Sequence, residues 1–198
     1  MALECELKYL NVDFKKLRNA LRELGAESSG PYFETNLVFD TRERSLRESN
    51  ILLRLRQKRS DVLLTVKRPP EVMIDSMLKV VEELETTVDD FDSMLAILDT
   101  LGFFISFSYE KVREKWRFMR CAICLDELPF GSFVEIEGEE HDIFQVSKLL
   151  GIQDSKTSKQ TYHALNVAYR KQNGLADEES FVFTKEQKEA IDKQIGKD

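Results

Sequence analysis

The feature that most restricts this chain is a series of segments that alternate with period two and whose polar half is charged. In ALECELKYL, Glu4, Glu6 and Lys8 share one face while Leu3, Cys5 and Leu7 share the other, the pattern of a strand with one packed side. The same spacing groups Arg54, Arg56 and Lys58, then Thr65 and Lys67, then Lys79, Val81, Glu83 and Glu85. It continues with Lys111, Arg113, Lys115 and Arg117, and with Glu135 and Glu137 opposite Val134 and Ile136. Any one of these strands taken alone reads better as the wet face of an ordinary antiparallel sheet. Taken together, however, the acids come as ExE pairs and the bases as RxR or KxR pairs. Side chains two apart on a strand lie about 7 Å from each other, so like charges repel unless opposite charge lies between them. We therefore expect these faces to meet in a shared interior that holds a hard divalent cation and a polyanion. Carboxylates supply the oxygen ligands that Mg2+ or Mn2+ prefers, and Arg and Lys suit phosphate.

With 198 residues, 42% hydrophobic and 33% charged, the chain is long enough for one well-filled core. The net charge of −7 excludes a general phosphate-backbone binder, so no nucleic-acid partner is expected. The opening MALECEL carries no charged-then-apolar leader, and no apolar stretch approaches the ~18 residues needed to span a bilayer. A cytoplasmic protein without a membrane partner is expected. Of the three cysteines, Cys121 and Cys124 form a CxxC pair with no second pair to complete a zinc site. They stand in the apolar run CAICL and read as buried strand thiols.

Three amphipathic helices interrupt the strands. Asp13 caps the first, whose stripe is Phe14, Leu17, Leu21 and Leu24 before Gly25. The second runs from Asp90 through Phe91, Met94, Leu95 and Leu98 to Gly102, and the third from about His141 to Leu150. Asp13, Phe14, Leu24 and Gly25 match Asp90, Phe91, Leu101 and Gly102 at a constant offset of 77, which also carries Glu6 to Glu83 and Tyr32 to Tyr109. The offset suggests a duplicated strand–helix–strand unit whose two copies face one cavity. Adding ETNLVFD and AICLDELP to the six alternating segments brings the count to eight strands, enough to close a barrel with a lumen. The fold class expected is α+β, an eight-stranded antiparallel β-barrel, or tunnel, with helices packed outside. Residues 1–170 are expected to form that domain. Residues 171–198 read as a polar link and a short helix near Lys185 to Ile195, either solvated or covering one tunnel mouth.

These residues resemble the CYTH superfamily, the triphosphate tunnel metalloenzymes, which include class IV adenylate cyclases, thiamine triphosphatases and inorganic triphosphatases. The ExExK signature appears as Glu4, Glu6 and Lys8, and the RxR strand as Arg54 and Arg56. LTxKxP appears as Leu64, Thr65, Lys67 and Pro69, and KxR as Lys111 and Arg113. Leu125 to Glu127 and Gly131 to Glu137 supply the late segments, so the ordered series spans roughly residues 2 to 166. The resemblance implies a metal group of Glu4, Glu6, Glu135 and Glu137, assisted by Glu83, Glu85 or Asp126. It implies a phosphate group of Lys8, Arg54, Arg56, Lys67, Lys79, Lys111, Arg113 and Lys159, with Glu4, Glu6, Lys8 and Lys67 closest to the chemistry. Two positions depart from the family pattern. Val81 stands where an Arg is frequent, with Lys79 on the same face, and SKQTYHAL leaves Lys159 displaced from the usual terminal Lys-Ser-Tyr.

The function expected is hydrolysis of an inorganic or organic triphosphate, such as tripolyphosphate or thiamine triphosphate, with Mg2+ or Mn2+. The alternatives are a class IV adenylate cyclase making cyclic AMP and pyrophosphate from ATP, and a catalytically silent phosphate-binding module. The chain is expected to act as a monomer or homodimer. His141 and His163 read as surface or packing residues, and neither a Ser/Cys-His triad nor a Gly-rich phosphate loop is present.

Overall fold

In the computed structural model, which describes residues 2–72 and 74–195, with the side chain of Ala2 left aside, the alternating segments become one closed sheet. Its strands are β1 (Ala2–Leu10), β2 (Glu27–Asp40), β3 (Leu52–Lys58), β4 (Asp61–Arg68), β5 (Lys79–Val88), β6 (Phe104–Phe118), β7 (Cys121–Leu128) and β8 (Gly131–Glu137). They run in the order β5-β4-β3-β2-β6-β7-β8-β1, and β1 pairs back onto β5. Every one of these pairings is antiparallel. Closure removes the open edges that a flat sheet would expose. The eight-stranded antiparallel barrel expected from the charge alternation is therefore present, with its helices outside.

The apolar half of each strand explains where those helices sit. Helix α1 (Phe14–Glu23) begins where Asp13 accepts the backbone N–H groups of Lys15 and Lys16 at 2.9 and 3.1 Å. Its Leu17 and Leu21 join Ile143 and Val146 of α4 (Glu140–Leu149) over Leu7, Ile123 and Ile136 on the barrel's outer face. Helix α3 (Phe91–Thr100), capped by Asp90, lays Leu98 on Leu53, Leu55 and Val62. Each such side chain withdrawn from water contributes roughly 1.5–3 kcal/mol, and this packing leaves the alternate residues pointing inward. Cys121 and Cys124 are buried free thiols in β7, as their apolar context suggested.

The offset of 77 holds in three dimensions. Adding it to the bounds of α1 gives those of α3, and it carries the first residue of β2 to the first of β6. Two strand pairings connect the copies: Glu4 lies opposite Val81 in β1–β5, and Glu34 opposite Lys111 in β2–β6. In both pairs the partners are 77 apart, so each residue faces its own equivalent. A pseudo-two-fold axis through the two pairs relates the halves of the barrel.

Two short elements were not expected. Helix α2 (Ser45–Glu48) is held by Asp40, which accepts the N–H groups of Thr41, Leu46 and Arg47 at 2.7, 3.0 and 3.1 Å. Strand β9 (Thr157–Ser158) pairs with Lys8 and Tyr9, beyond the stretch of β1 that β5 covers.

After α5 (Tyr162–Gln172) the chain does not leave the barrel. Strand β7 covers β6 only from Val112 to Phe118, and the bare edge that remains is filled by the returning chain. Phe181 accepts from the N–H of Glu110 at 3.1 Å and donates to the carbonyl of Ser108 at 3.1 Å. Glu110 also accepts the N–H of Phe183 at 3.0 Å and Lys188 Nζ at 2.7 Å, which fixes the start of α6 (Lys185–Ile195). A solvated link is thus the wrong description of residues 178–184; they are part of the wall at one mouth. Among the described residues, no helix is long and apolar enough to cross a membrane.

Candidate functional site

The inward faces enclose a cavity of about 750 Å3. Eleven Lys and Arg side chains line it against seven Asp and Glu, and counting Glu34 and Asp126, buried behind the wall, raises the acids only to nine. A chain of net charge −7 therefore turns a cationic surface inward, and low-dielectric walls concentrate that field on an entering anion.

One part of the cavity is acidic. Glu4 and Glu6 alternate onto the inner face of β1, and the β1–β8 register sets Glu6 opposite Glu137. The carboxylates of Glu4, Glu6 and Glu137 converge, with one oxygen of each within 4.8 Å of the others. Three oxygen donors with no nitrogen or sulfur form the donor set of a hard divalent cation such as Mg2+ or Mn2+, so the residues present fit the metal that the ExE pairs suggested. Two lysines share these acids: Lys67 Nζ lies 2.8 and 2.6 Å from the two oxygens of Glu4, and Lys79 Nζ lies 2.8 Å from Glu6. Burial, reinforced by Glu135 and Glu4, pushes the Glu137 carboxyl up despite Arg113 and Lys115.

The rest of the wall is basic. Arg54 donates to Tyr109 Oη at 3.1 Å and to Thr65 Oγ1 at 3.2 Å, while its Nε is buried without a partner. Arg56 Nε donates to Asn36 Oδ1 at 2.8 Å. Both arginines line the cavity, where charged guanidinium groups favour an anion.

The expected residues divide into three groups. Glu4, Glu6, Lys8, Arg54, Arg56, Lys67, Lys79, Glu83, Glu85, Lys111, Arg113, Glu135 and Glu137 all reach the cavity. Within that set, Glu135 is separated from the three converging carboxylates by its own ion pairs, to Lys8 at 2.8 Å and Arg113 at 2.6 Å. Glu83 faces Lys67 at 3.5 Å, and Glu85 accepts from Thr65 Oγ1 at 2.8 Å. Asp126 differs from expectation. Arg113 grips it through both Nε and Nη2, Lys111 Nζ lies at 3.1 Å and Tyr162 Oη donates at 2.7 Å. With three of these bonds on Oδ2, one on Oδ1 and no exposed surface, Asp126 anchors the basic side chains and stands apart from the three converging carboxylates. Lys159 also differs: it is exposed and donates to the carbonyl of Ser76, outside the cavity. Its displacement in SKQTYHAL was the visible sign.

Several functional neighbours were not assigned from the sequence. Glu34 and Asn36, both fully buried, stand behind the basic wall, and Tyr162 lies under Lys8, whose Nζ is 4.5 Å from the ring centroid. Burial raises the Tyr109 phenol, but Arg54, Arg56 and Lys111 outweigh it and bring it down to about 8. At one end the inward positions switch from charged to apolar, through Leu10, Val38, Leu52, Phe107, Leu128 and Phe133. Phe181 completes this plug, stacked on Tyr109 at 5.1 Å and edge-on to Phe130 at 5.3 Å. His163 packs there against Phe107 at 4.5 Å, in keeping with a packing role. The switch is readable strand by strand, because each apolar residue lies two positions from a charged or polar inward one.

Comparison with known proteins agrees with this geometry. Residues 2–162 match the family described as CYTH domain. A protein of Methanocaldococcus jannaschii named "Putative adenylate cyclase" is 29% identical over 149 residues, 75% of this chain and 83% of its own. A Vibrio parahaemolyticus structure, called a "putative adenylate cyclase", superposes with a TM-score of 0.73 at 20% identity, covering 83% of this chain and 97% of that one. A Hippeastrum protein, described as a "putative adenylyl cyclase" with a dominant triphosphatase activity, superposes with a TM-score of 0.57 at 19% identity over 90% of this chain and 99% of that one.

Proposed function

The chain belongs to the CYTH domain family, and on that footing we propose that it is a divalent-metal-dependent triphosphatase, releasing the terminal phosphate of an inorganic or organic triphosphate inside the barrel. One observation carries the reading: three carboxylates converge at one side of a cavity whose remaining wall holds eleven cationic side chains. A cavity built only to bind anions gains nothing from such a cluster, whereas phosphoryl transfer needs both charges at once.

Glu4, Glu6 and Glu137 would hold Mg2+ or Mn2+, which supplies Lewis-acid neutralisation of phosphate charge. Arg54 and Arg56 would present guanidinium donors to phosphate oxygens, and Arg113, whose Nε and Nη2 are held by Asp126 and Glu135, would act with Lys8 and Lys111 mainly through its charge. Lys67 and Lys79 are tied to Glu4 and Glu6 by flexible stems, so each can turn from a carboxylate to a phosphate oxygen. These cations are fixed before the reaction by Asp126, Glu135, Asn36 and Thr65. A donor already oriented costs no reorganisation when charge builds on the transferring group. Within this reading residues 1–170 form the catalytic tunnel, in the cytoplasm, and residues 171–198 are an extension that covers its aromatic end.

A class IV adenylate cyclase is the second reading. It is favoured by the name of the Methanocaldococcus relative and by the aromatic end of the cavity, where a planar base could lie against Phe107 or Phe181. The Hippeastrum protein joins a cyclase name to a dominant triphosphatase activity, so both reactions are named on this fold. The test is a substrate panel of tripolyphosphate, thiamine triphosphate and ATP with Mg2+ or Mn2+, with products separated by chromatography. Orthophosphate release is expected. Cyclic AMP and pyrophosphate from ATP would replace the triphosphatase with the cyclase, and tight binding without turnover would leave a silent binding module.

A further inference from the structure

Glu34 is a fully buried acid of the interior that hydrogen-bonds to nothing described. It shows no exposed surface, and neither carboxylate oxygen has a hydrogen-bond partner. Arg56 and Lys111 approach its Oε2 to 3.4 and 3.5 Å, but each directs its hydrogen bond elsewhere, Arg56 to Asn36 and Lys111 to Asp126. It is nonetheless ionised: burial pushes its carboxyl up, and Lys111, Arg56, Arg113 and Arg54 together hold it well below the usual range. Those four cations all reach the cavity, whereas Glu34 stands behind them. The pseudo-two-fold axis passes between Glu34 and Lys111, so one charge acts on bases of both halves.

A buried charge without hydrogen bonds is a poor way to stabilise a fold, because its loss of hydration is repaid only by Coulomb attraction. Its effect on an anion in the cavity is clear in sign. Asp126, Glu135 and Glu85 remain beside Lys111, Arg113 and Arg54, but Arg56 has no other acid within ion-pair distance among the described residues. Without Glu34 the wall carries one more uncompensated positive charge and would hold a polyphosphate, and the phosphate or pyrophosphate left behind, more firmly. We propose that Glu34 is a positioning residue that sets the strength of the polyanion grip: it keeps Arg56 and Lys111 in place and weakens ground-state binding so that product leaves. This rests on the cavity being a polyphosphate site.

The sign separates this role from a structural one. A residue that merely shaped the wall would weaken binding when replaced; a counter-charge would tighten it. A unit charge within about 10 Å of a polyanion, at the effective dielectric of a partly wet site, changes affinity by about tenfold. The experiment is calorimetric titration of the full chain and its Glu34→Gln variant with tripolyphosphate and with pyrophosphate, without metal. Glu34→Gln is expected to bind both about tenfold more tightly. Where the variant turns over, KM and kcat should fall together, with pyrophosphate a stronger competitive inhibitor. Glu34→Met, of matching length and needing no hydrogen bond, is the second variant and should show the same tightening. Equal or weaker binding by either folded variant overturns the proposal while leaving the proposed function standing. Failure of the unaltered chain to bind tripolyphosphate overturns both. If neither variant folds, the charge serves the fold and the proposal fails.

Discussion

Lys67 and Glu4 form a two-point ion pair over the intervening strand β5, with Nζ 2.8 and 2.6 Å from the two carboxylate oxygens. The pair joins the two halves of the proposed chemistry, since Glu4 is one of three converging carboxylates and Lys67 belongs to the cationic wall. Glu4→Gln keeps the shape but removes the charge that both a divalent cation and Lys67 require. Turnover with Mg2+ is expected to fall by at least about 100-fold, with Mg2+ affinity falling in calorimetry and far-ultraviolet circular dichroism unchanged. Unaltered Mg2+ affinity would remove Glu4 from the metal group.

Asp126 predicts a different outcome, because its work is structural. It receives Arg113 twice, Lys111 and Tyr162 at a position with no solvent exposure. Asp126→Asn removes the acid that Arg113 and Lys111 share and leaves Glu135 and Glu34 to balance them, a change that costs up to about 3–5 kcal/mol. Urea denaturation should show this loss as a lower midpoint at unchanged slope. Metal affinity measured under folded conditions should change much less than in Glu4→Gln, and an equal loss there would return Asp126 to the metal group.

Tyr109 gives the interior field a visible probe. Arg54 donates to its Oη, and with Arg56 and Lys111 brings the phenol down to about 8 against burial, whereas an ordinary tyrosine titrates near 10. One tyrosine should therefore develop phenolate absorbance around pH 8, and Tyr109→Phe should abolish that step. For an acid whose pKa is depressed by folding, the stability gained is full above the unfolded pKa and vanishes as pH falls through the folded one. The unaltered chain should accordingly gain stability over Tyr109→Phe between about pH 8 and about pH 10. Saturating tripolyphosphate, by occupying the same cations, should move the step back upward.

The barrel and most of its lining were legible because both are written in period two, and a strand cannot place Arg54 and Arg56 inward without placing Leu53 and Leu55 outward beneath α3. The partition of the acids was not legible. Glu4, Glu135 and Asp126 look alike on an alternating strand, and what separates them is which cation each meets on a nearby strand: Arg113 directly opposite Asp126, Lys8 directly opposite Glu135, and Lys67 reaching Glu4 over β5. The Asp126 pairing follows from the register of the local β6–β7 hairpin, whereas those of Glu135 and Glu4 depend on closure, which brings β1 beside β8 and β5. Glu34 was passed over because a single acid in ETNLVFD has no charged neighbour two positions away. The route of residues 178–184 was hidden for another reason. DEESFVF reads as polar chain with an apolar interruption, and only the gap left on β6 by the short reach of β7 gives that interruption a place.

That gap supports the last prediction. Phe181, 4% exposed, fills the aromatic plug against Tyr109 and Phe130, and its backbone completes the edge of β6 at Ser108 and Glu110. The two roles can be separated by experiment. Phe181→Ala removes only the ring and should cost about 3–5 kcal/mol in urea denaturation, with the barrel still folded and its tripolyphosphate affinity retained, because the basic wall is untouched. Ending the chain after Gln172 removes the edge-covering segment as well. It leaves the N–H of Glu110 and the carbonyl of Ser108 unpaired beside an uncovered apolar plug, an arrangement that invites edge-to-edge association. Light scattering should then show concentration-dependent aggregation of the truncated chain that Phe181→Ala does not share. A truncated chain that stays monomeric and as stable as the full one would show that residues 173–198 are dispensable to the barrel wall.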